Sequence, residues 1–423
     1  MHSTALSLLF AAAVLSALAL RLWLATRQIS HVVAHRDRVP EPFLGTISPE
    51  AHRRAADYTV AKARLGLLAT AFSTAMLLAW TLLGGLDMLN QLLVDAVHGL
   101  AGDMAYQLSL LVAFTLIGVL LDLPFDLYGT FRVEQRFGFN RTSPRLFALD
   151  MVRSLAVGSA IGLPLAALVL WIMSRAGPLW WWWAWIAWVA FNLLLLVIYP
   201  TLIAPIFNRF EPLADRTLED RVKALMQRCG FAAKGLFVMD GSRRSAHANA
   251  YFTGLGSAKR VVFFDTLLAK LTPGEVEAVL AHELGHFKLR HVPKRMLAIF
   301  GLSLAGLALL GWLAGRSWFY SGLGVSPNLS APNDALALVL FSLVLPPFLF
   351  FLSPLTTFLS RRHEYEADAY ACRNAEGLDL ASALLKLHQD NASTLTPDPL
   401  YARFYYSHPP AAERLAALPQ PAS

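Results

Sequence analysis

Seven apolar stretches, each long enough to cross a bilayer, constrain this chain more than anything else in its sequence. They lie at roughly 4–26, 65–86, 105–127, 152–174, 179–204, 296–316 and 335–359. A helix rises 1.5 Å per residue, so about 20 apolar residues span the hydrocarbon core. Seven such stretches in 423 residues leave little room for a large soluble core. With 56% hydrophobic and only 15% charged residues, composition agrees. The first stretch lacks a basic leader and a small-residue cleavage pattern, so it reads as a retained span and not a signal peptide.

The connecting segments alternate in charge. Residues 27–64 carry Arg27, Arg36, Arg38, Arg53, Arg54, Lys62 and Arg64, whereas 87–104 carry only Asp87, Asp95 and Asp103. The 128–151 loop is basic, the next connection has Arg175 alone, 205–295 is rich in Lys and Arg, 317–334 has neither, and the tail is basic again from Arg361. Basic loops stay in the cytoplasm. That places the N-terminus outside and the C-terminus inside. It also explains the net charge of +7 as membrane topology, with no nucleic-acid partner implied. Six tryptophans between Trp180 and Trp188 sit at the outer end of the fifth span, as an aromatic belt would. The two cysteines, Cys229 and Cys372, fall in cytoplasmic segments, so no structural disulfide is expected.

This divides the chain into four parts: 1–204 with five spans, a cytoplasmic segment 205–295, spans six and seven at 296–359, and a cytoplasmic tail 360–423. Within 205–295, Leu218 to Cys229 has helical spacing and ends at Gly230. Leu236 to Met239, Ala248 to Thr253 and Arg260 to Phe264 read as strands, with Gly254 to Lys259 as a turn. Thr272, Pro273 and Glu275 form a capping box that opens a helix. Pro419 to Ser423 is expected to be a disordered end.

That capped helix carries His282-Glu283-Leu284-Gly285-His286. Histidines four apart share one helix face, so both rings can reach one zinc ion. The intervening Glu283 can take a proton from a water attacking a carbonyl carbon. Gly285 leaves room for substrate or a neighbouring element. A catalytic zinc needs a third protein ligand and an open fourth position. After the last span, Arg361 to Asp368 places Glu364 and Asp368 four apart on a second helix. From spacing, either Glu364 or Glu366 can supply the third ligand. Glu366 beside the arginines reads more simply as a solvated position, and Asp368 as a group that orients a ligand or an arginine. His286 and Glu364 both lie close to span ends, so the metal belongs near the cytoplasmic face, where only a protein-lined cavity admits water and backbone.

These residues resemble the type I CAAX prenyl protease family of membrane zinc peptidases. The likeness rests on His282 to His286 with Ser360 to Asp368, on Glu134 to Asn140, Pro200 to Asn208, His247 to Phe252, Phe264 to Leu268, and Ser407 to Pro410 with Glu413-Arg414. It runs from the first span to the tail with the motifs in order. The resemblance implies a mainly α membrane protein: seven transmembrane helices enclosing an intramembrane chamber, capped on the cytoplasmic side by a zincin-like α+β metalloprotease domain. It implies one catalytic zinc on His282, His286 and Glu364, with Glu283 and Asp368 catalytic and Asp368 paired with Arg414. It also implies that His408 sits over the scissile bond as an oxyanion partner, and that Asn249 and Arg414 contact substrate. His247, His291 and His363 are left as non-ligands.

The implied activity is a membrane-embedded zinc endopeptidase cutting peptides or membrane-attached proteins, lipidated ones among them. Short loops and compact length point to a bacterial inner membrane. Two alternatives stay open: a quality-control protease for misfolded membrane proteins, and a cavity-bearing membrane protein with a purely structural zinc. Few charges fall inside the spans to favour the last; Asp122 and Asp126 are the best candidates.

Overall fold

In the computed structural model, which describes residues 2–231, 235–253 and 260–418, seven helical stretches are long and apolar enough to cross a membrane. The expected turn at 254–259 and the expected disordered end at 419–423 lie outside the described residues. The N-terminal part runs α1 (His2–Ala34), α2 (Pro49–Trp80), α3 (Gly85–Leu93), α4 (Gly99–Tyr128), α5 (Pro144–Arg175), α6 (Trp180–Ile198) and the short α7 (Ala204–Phe207). Starts are written in the sequence. Ser48 caps α2 and Ser143 caps α5, each accepting a backbone N–H and each followed by proline at the first helical position. The second span begins and ends earlier than its hydropathy suggests. Gly84 at φ 78° turns the chain, and 87–104 is not an open loop but helix α3 followed by a π-turn.

Most apolar side chains of the spans point outward. Leu8, Leu68, Leu120, Val152 and Leu194 are all exposed on the protein, as lipid-facing residues must be. Inside the ring lie two cavities of about 330 and 540 Å³ that share Arg21 and Thr70. The first is walled by α1, α2, α4 and the seventh span, and includes Asp122; Asp126 does not line it. The second reaches toward the extramembrane layer at Tyr58, His247 and Tyr401. This is the chamber expected of the fold.

The extramembrane layer follows as β1 (Phe210–Pro212), α8 (Arg216–Arg228), β2 (Gly235–Met239), β3 (Ala250–Thr253), β4 (Arg260–Phe264), α9 (Asp265–Leu268) and α10 (Pro273–Lys288). The sheet order is β1-β2-β4-β3, with β2 and β4 parallel and both outer pairs antiparallel, so β3 is an edge strand. Strand β1 is too short and too polar for periodicity to show. Thr272 and Glu275 form the reciprocal capping box of α10. Cys229 and Cys372 are both free thiols.

The chain then re-enters the membrane with α11 (His291–Leu313), passes the short α12 (Ser317–Ser321), and returns as α13 (Asp334–Leu349). Pro346 and Pro347 end that regular helix. A tight turn at Phe350–Leu352 leads straight into α14 (Ser353–Asn374), so the helix expected after the last span is its direct continuation. The tail adds α15 (Gly377–Asp390), α16 (Pro399–Tyr405) and α17 (Ala411–Ala417).

Ion pairs tie the layers together. Asp398 caps α16 and binds Arg27 of α1 at 2.8 Å. Arg244 grips Asp150 of α5 at 2.8 Å and Asn208 at 2.9 Å. Glu134 accepts from Tyr58 of α2 at 2.6 Å and faces His247 at 3.6 Å.

Candidate active site

Helix α10 is buried on three sides: Val276, Ala278, Leu280, Ala281 and Leu284 sit in the core of the extramembrane layer. Such a helix has no freedom to rotate, and its remaining face is set against α14. Gly285 makes that contact possible. A Cβ there would lie 3.0 Å from the Ala367 Cα, closer than side chains ordinarily approach backbone. The close crossing puts His282 and His286 opposite Glu364 and Asp368.

Two imidazole nitrogens and a carboxylate converge. His282 Nε2 lies 3.2 Å from His286 Nε2 and 3.4 Å from Glu364 Oε2, and His286 Nε2 lies 3.3 Å from the other oxygen, Glu364 Oε1. Glu364 Oε2 is buried without a hydrogen-bond donor among the described residues. A tetrahedron with bonds of about 2.0–2.1 Å has edges of about 3.3–3.4 Å, so two nitrogens at this spacing, each facing one oxygen of the same carboxylate, suit a zinc ion. Charge points the same way. Glu364, Asp368 and Glu283 face a single guanidinium, that of Arg414, leaving room for a divalent cation. Burial opposes protonation of the His282 ring, yet the facing Asp368 and Glu364 carboxylates push its pKa up to about 9.

Asp368 accepts from His282 Nδ1 at 2.8 Å and from Arg414 Nε at 2.9 Å and Nη2 at 2.6 Å. Arg414 is buried and reaches within 3.9 Å of Glu364. Its helix α17 is fixed by Tyr365, which donates to Glu413 at 3.2 Å. The segment holding His408 is fixed by Arg361 of α14, which donates to the carbonyls of Ala402 and Tyr406. His408 is exposed, with Nε2 3.5 Å from Glu364 Oε1. Glu283 is half-buried and has no hydrogen bond or ion pair among the described residues. Asn249 immediately precedes edge strand β3, which packs beside α10; its carbonyl accepts from Phe264, and its side chain from Ala250.

Glu366 departs from the expected solvated position. It is half-buried and binds His291 Nε2 at 3.0 Å and Arg362 at 3.0 Å. His291, outside the three-ligand set, is nonetheless 3.0 Å from His286 Nδ1. Sequence reasoning missed this pair because it depends on Arg290, whose left-handed backbone at φ 57° folds α11 back beneath α10. No helical periodicity links residues across such a turn. His247, read as a non-ligand, stacks on Phe139 and bonds Asn391.

Comparison with known proteins agrees over nearly the whole chain. Residues 28–209 match the CAAX prenyl protease N-terminal family of five membrane helices, and 212–422 match peptidase family M48. CAAX prenyl protease 1 of Saccharomyces cerevisiae is 32% identical over 403 residues, covering 90% of this chain and 88% of the relative. The human CAAX prenyl protease 1 homolog is 33% identical over 353 residues, 75% of this chain and 74% of the relative. The crystal structure of S. mikatae Ste24p superposes with a TM-score of 0.90 at 31% identity, covering 98% of this chain and 99% of that one.

Proposed function

The chain belongs to peptidase family M48, as a multi-pass membrane zinc metallopeptidase of the CAAX prenyl protease type, and from that premise we propose how its residues divide the work. His282, His286 and Glu364 hold one catalytic zinc. The observation that carries this is the convergence of His282 Nε2 and His286 Nε2, 3.2 Å apart, on the two oxygens of Glu364 at 3.3–3.4 Å, with Oε2 lacking a hydrogen-bond donor among the described residues. Among the described residues only three donors converge there, which supports an open, catalytic site over a closed structural one.

When bound, zinc supplies a Lewis acid that polarises the scissile carbonyl. Glu283, without a hydrogen bond or ion pair among the described residues, takes the proton of the attacking water and returns it to the departing amine as the C–N bond breaks. His408, fixed above Glu364, donates toward the oxygen that gains negative charge. Asp368 orients His282 and is itself held by Arg414. The substrate backbone adds to edge strand β3, next to Asn249, in extended form. That arrangement leaves the peptide chain between β3 and α10, with the rest of the substrate able to enter the cavity below.

Substrates are peptides or membrane-attached proteins, and prenylated C-termini are the class suggested by the relatives. The basic loops support a cytoplasmic site with the N-terminus outside, and the short loops support a bacterial inner membrane. The test is hydrolysis of a farnesylated and an unmodified peptide of one sequence by purified protein and its Glu283→Gln variant. Faster cleavage of the farnesylated peptide, lost in the variant, is expected. Equal rates for the two peptides would remove prenyl recognition from the function, and full activity in Glu283→Gln would remove the mechanism.

A further inference from the structure

Four polar side chains outside the proposed ligand set form a chain leading to it. His286 Nδ1 faces His291 Nδ1 at 3.0 Å, and His291 Nε2 meets Glu366 Oε2 at 3.0 Å. Glu366 Oε1 accepts from Arg362 Nε at 3.0 Å. His363 lies flat on His291, ring centres 4.0 Å apart and planes within 9°. His291 is only 4% exposed, so water is a poor substitute for these partners.

Proton positions follow from the chemistry of the end group. An ionised carboxylate only accepts, so Glu366 takes the proton on His291 Nε2. Neutral His291 then presents a bare lone pair at Nδ1. Facing it, His286 must carry its proton on Nδ1, which leaves the lone pair of Nε2 pointing at His282 and Glu364. The reverse assignment would set a His291 lone pair against carboxylate oxygens. We propose that Glu366 and His291 are positioning residues that hold His286 in its metal-ligating tautomer and orientation. The proposal rests on the reading of His286 as a zinc ligand.

The two ligand histidines are thus fixed by unlike devices. His282 donates straight to a carboxylate, Asp368, whereas His286 reaches its carboxylate through an intervening imidazole. Donation of the second ring N–H to such a partner sharpens metal binding by about 10–100-fold. His291, His363 and Glu366 also lie close enough together to suggest a second cation site. Parallel stacking argues against it, because lone pairs in two parallel ring planes do not converge on one ion. Glu366 is, besides, already shared between His291 and Arg362.

Two variants of the full chain, purified in detergent, test the relay by zinc competition against a chromophoric chelator and by unfolding of the metal-free protein. His291→Phe keeps the stack on His363 and removes the acceptor. In Glu366→Gln, Arg362 Nε, which can only donate, keeps the amide oxygen, so the amide N–H faces and donates to His291 Nε2, which drives the His291 proton onto Nδ1 and against that of His286. Zinc affinity weaker by about tenfold or more is expected in both, with the metal-free stability of Glu366→Gln unchanged. A smaller loss of affinity in Glu366→Gln overturns the relay, even if His291→Phe fails to fold. A purely structural role would lower metal-free stability and leave affinity alone. Wild-type protein that takes up no zinc would instead refute the reading of His286 as a ligand.

Discussion

Two glycines show how differently the two layers of this molecule are built. Gly158, in the membrane helix α5, has nothing within 4 Å of where a side chain would begin, whereas Gly285, in α10, has the backbone of Ala367 at 3.0 Å. Over the stretch around Gly158 the membrane layer turns its apolar residues outward, and general hydrophobicity suffices to specify it; its close packing is concentrated at the end away from the sheet, around Phe10, Tyr106 and Leu336. The extramembrane layer has a dense core around α10, and its chemistry depends on contacts set to within a few tenths of an ångström. The lipid-facing stretches should tolerate change broadly, and the α10 layer should fail at single positions.

The sharpest break between them is metal removal. Dialysis against a strong chelator should abolish hydrolysis and leave the helical content of the spans unchanged by circular dichroism; added zinc should restore activity. Next in size is Glu283→Gln, expected to lower turnover by about 10²–10⁴-fold while zinc content stays at wild-type level. Loss of zinc from that variant would show that Glu283 serves the site's structure. Asp368→Asn comes third. It keeps the shape of the group that binds His282 and Arg414 but removes its charge, and should weaken zinc binding by about 10–100-fold in chelator competition.

The same division explains what could be read from the residues beforehand. Seven spans, the capped helix α10, three of the four strands and the pairing of His282 with His286 all follow local rules of hydropathy, capping and four-residue spacing; Glu364 was singled out by family resemblance alone. Helix α3 was hidden because Gly84 to Leu86 read as the end of the second span and 87–104 as a loop between spans. Strand β1 was hidden because three residues carry no period. The binding of His286 to His291 was hidden because it arises from a left-handed turn at Arg290, and that of His291 to Glu366 because it joins helices separated by two membrane crossings. Spacing could not choose between Glu364 and Glu366. Three dimensions separate them: Glu364 points at both His282 and His286, and Glu366 at His291, the ring behind one of them.

The glycine comparison itself is testable. Gly285→Ala forces the α10–α14 crossing apart and should cost about 1–3 kcal/mol through overpacking, with zinc affinity falling because Glu364 moves away from the histidines. Gly158→Ala should cost nothing and can even stabilise its helix. Thermal unfolding in detergent, read together with zinc content, checks both. Equal effects at the two positions would mean that α14 adjusts freely, and that the close crossing is not what holds the ligands together.

The smallest expected effect is also the one that separates the layers most selectively. Glu275 is buried at the start of α10, where burial works against its charge, but Lys386 at 2.8 Å, Ser382 at 2.5 Å and the Thr272 N–H at 2.7 Å hold its carboxyl below the ordinary value of 4.5. A depressed carboxylate stabilises the fold fully above its unfolded pKa and loses that contribution as pH falls through the folded one. Glu275→Gln should therefore be less stable than wild type at pH 7 by about 1–2 kcal/mol, with the difference closing below pH 4.5. Acid should loosen α10 before it touches the bundle, whose stability is apolar. All 11 tryptophans lie in membrane helices or at their outer ends, so their emission reports the bundle alone. Below pH 4, protection factors for amide exchange in α10, which correct for the slower intrinsic exchange in acid, should fall in wild type while tryptophan emission holds. If both changed together, the two layers would be one cooperative unit, and the tolerance assigned to the bundle would have to be shared by the site.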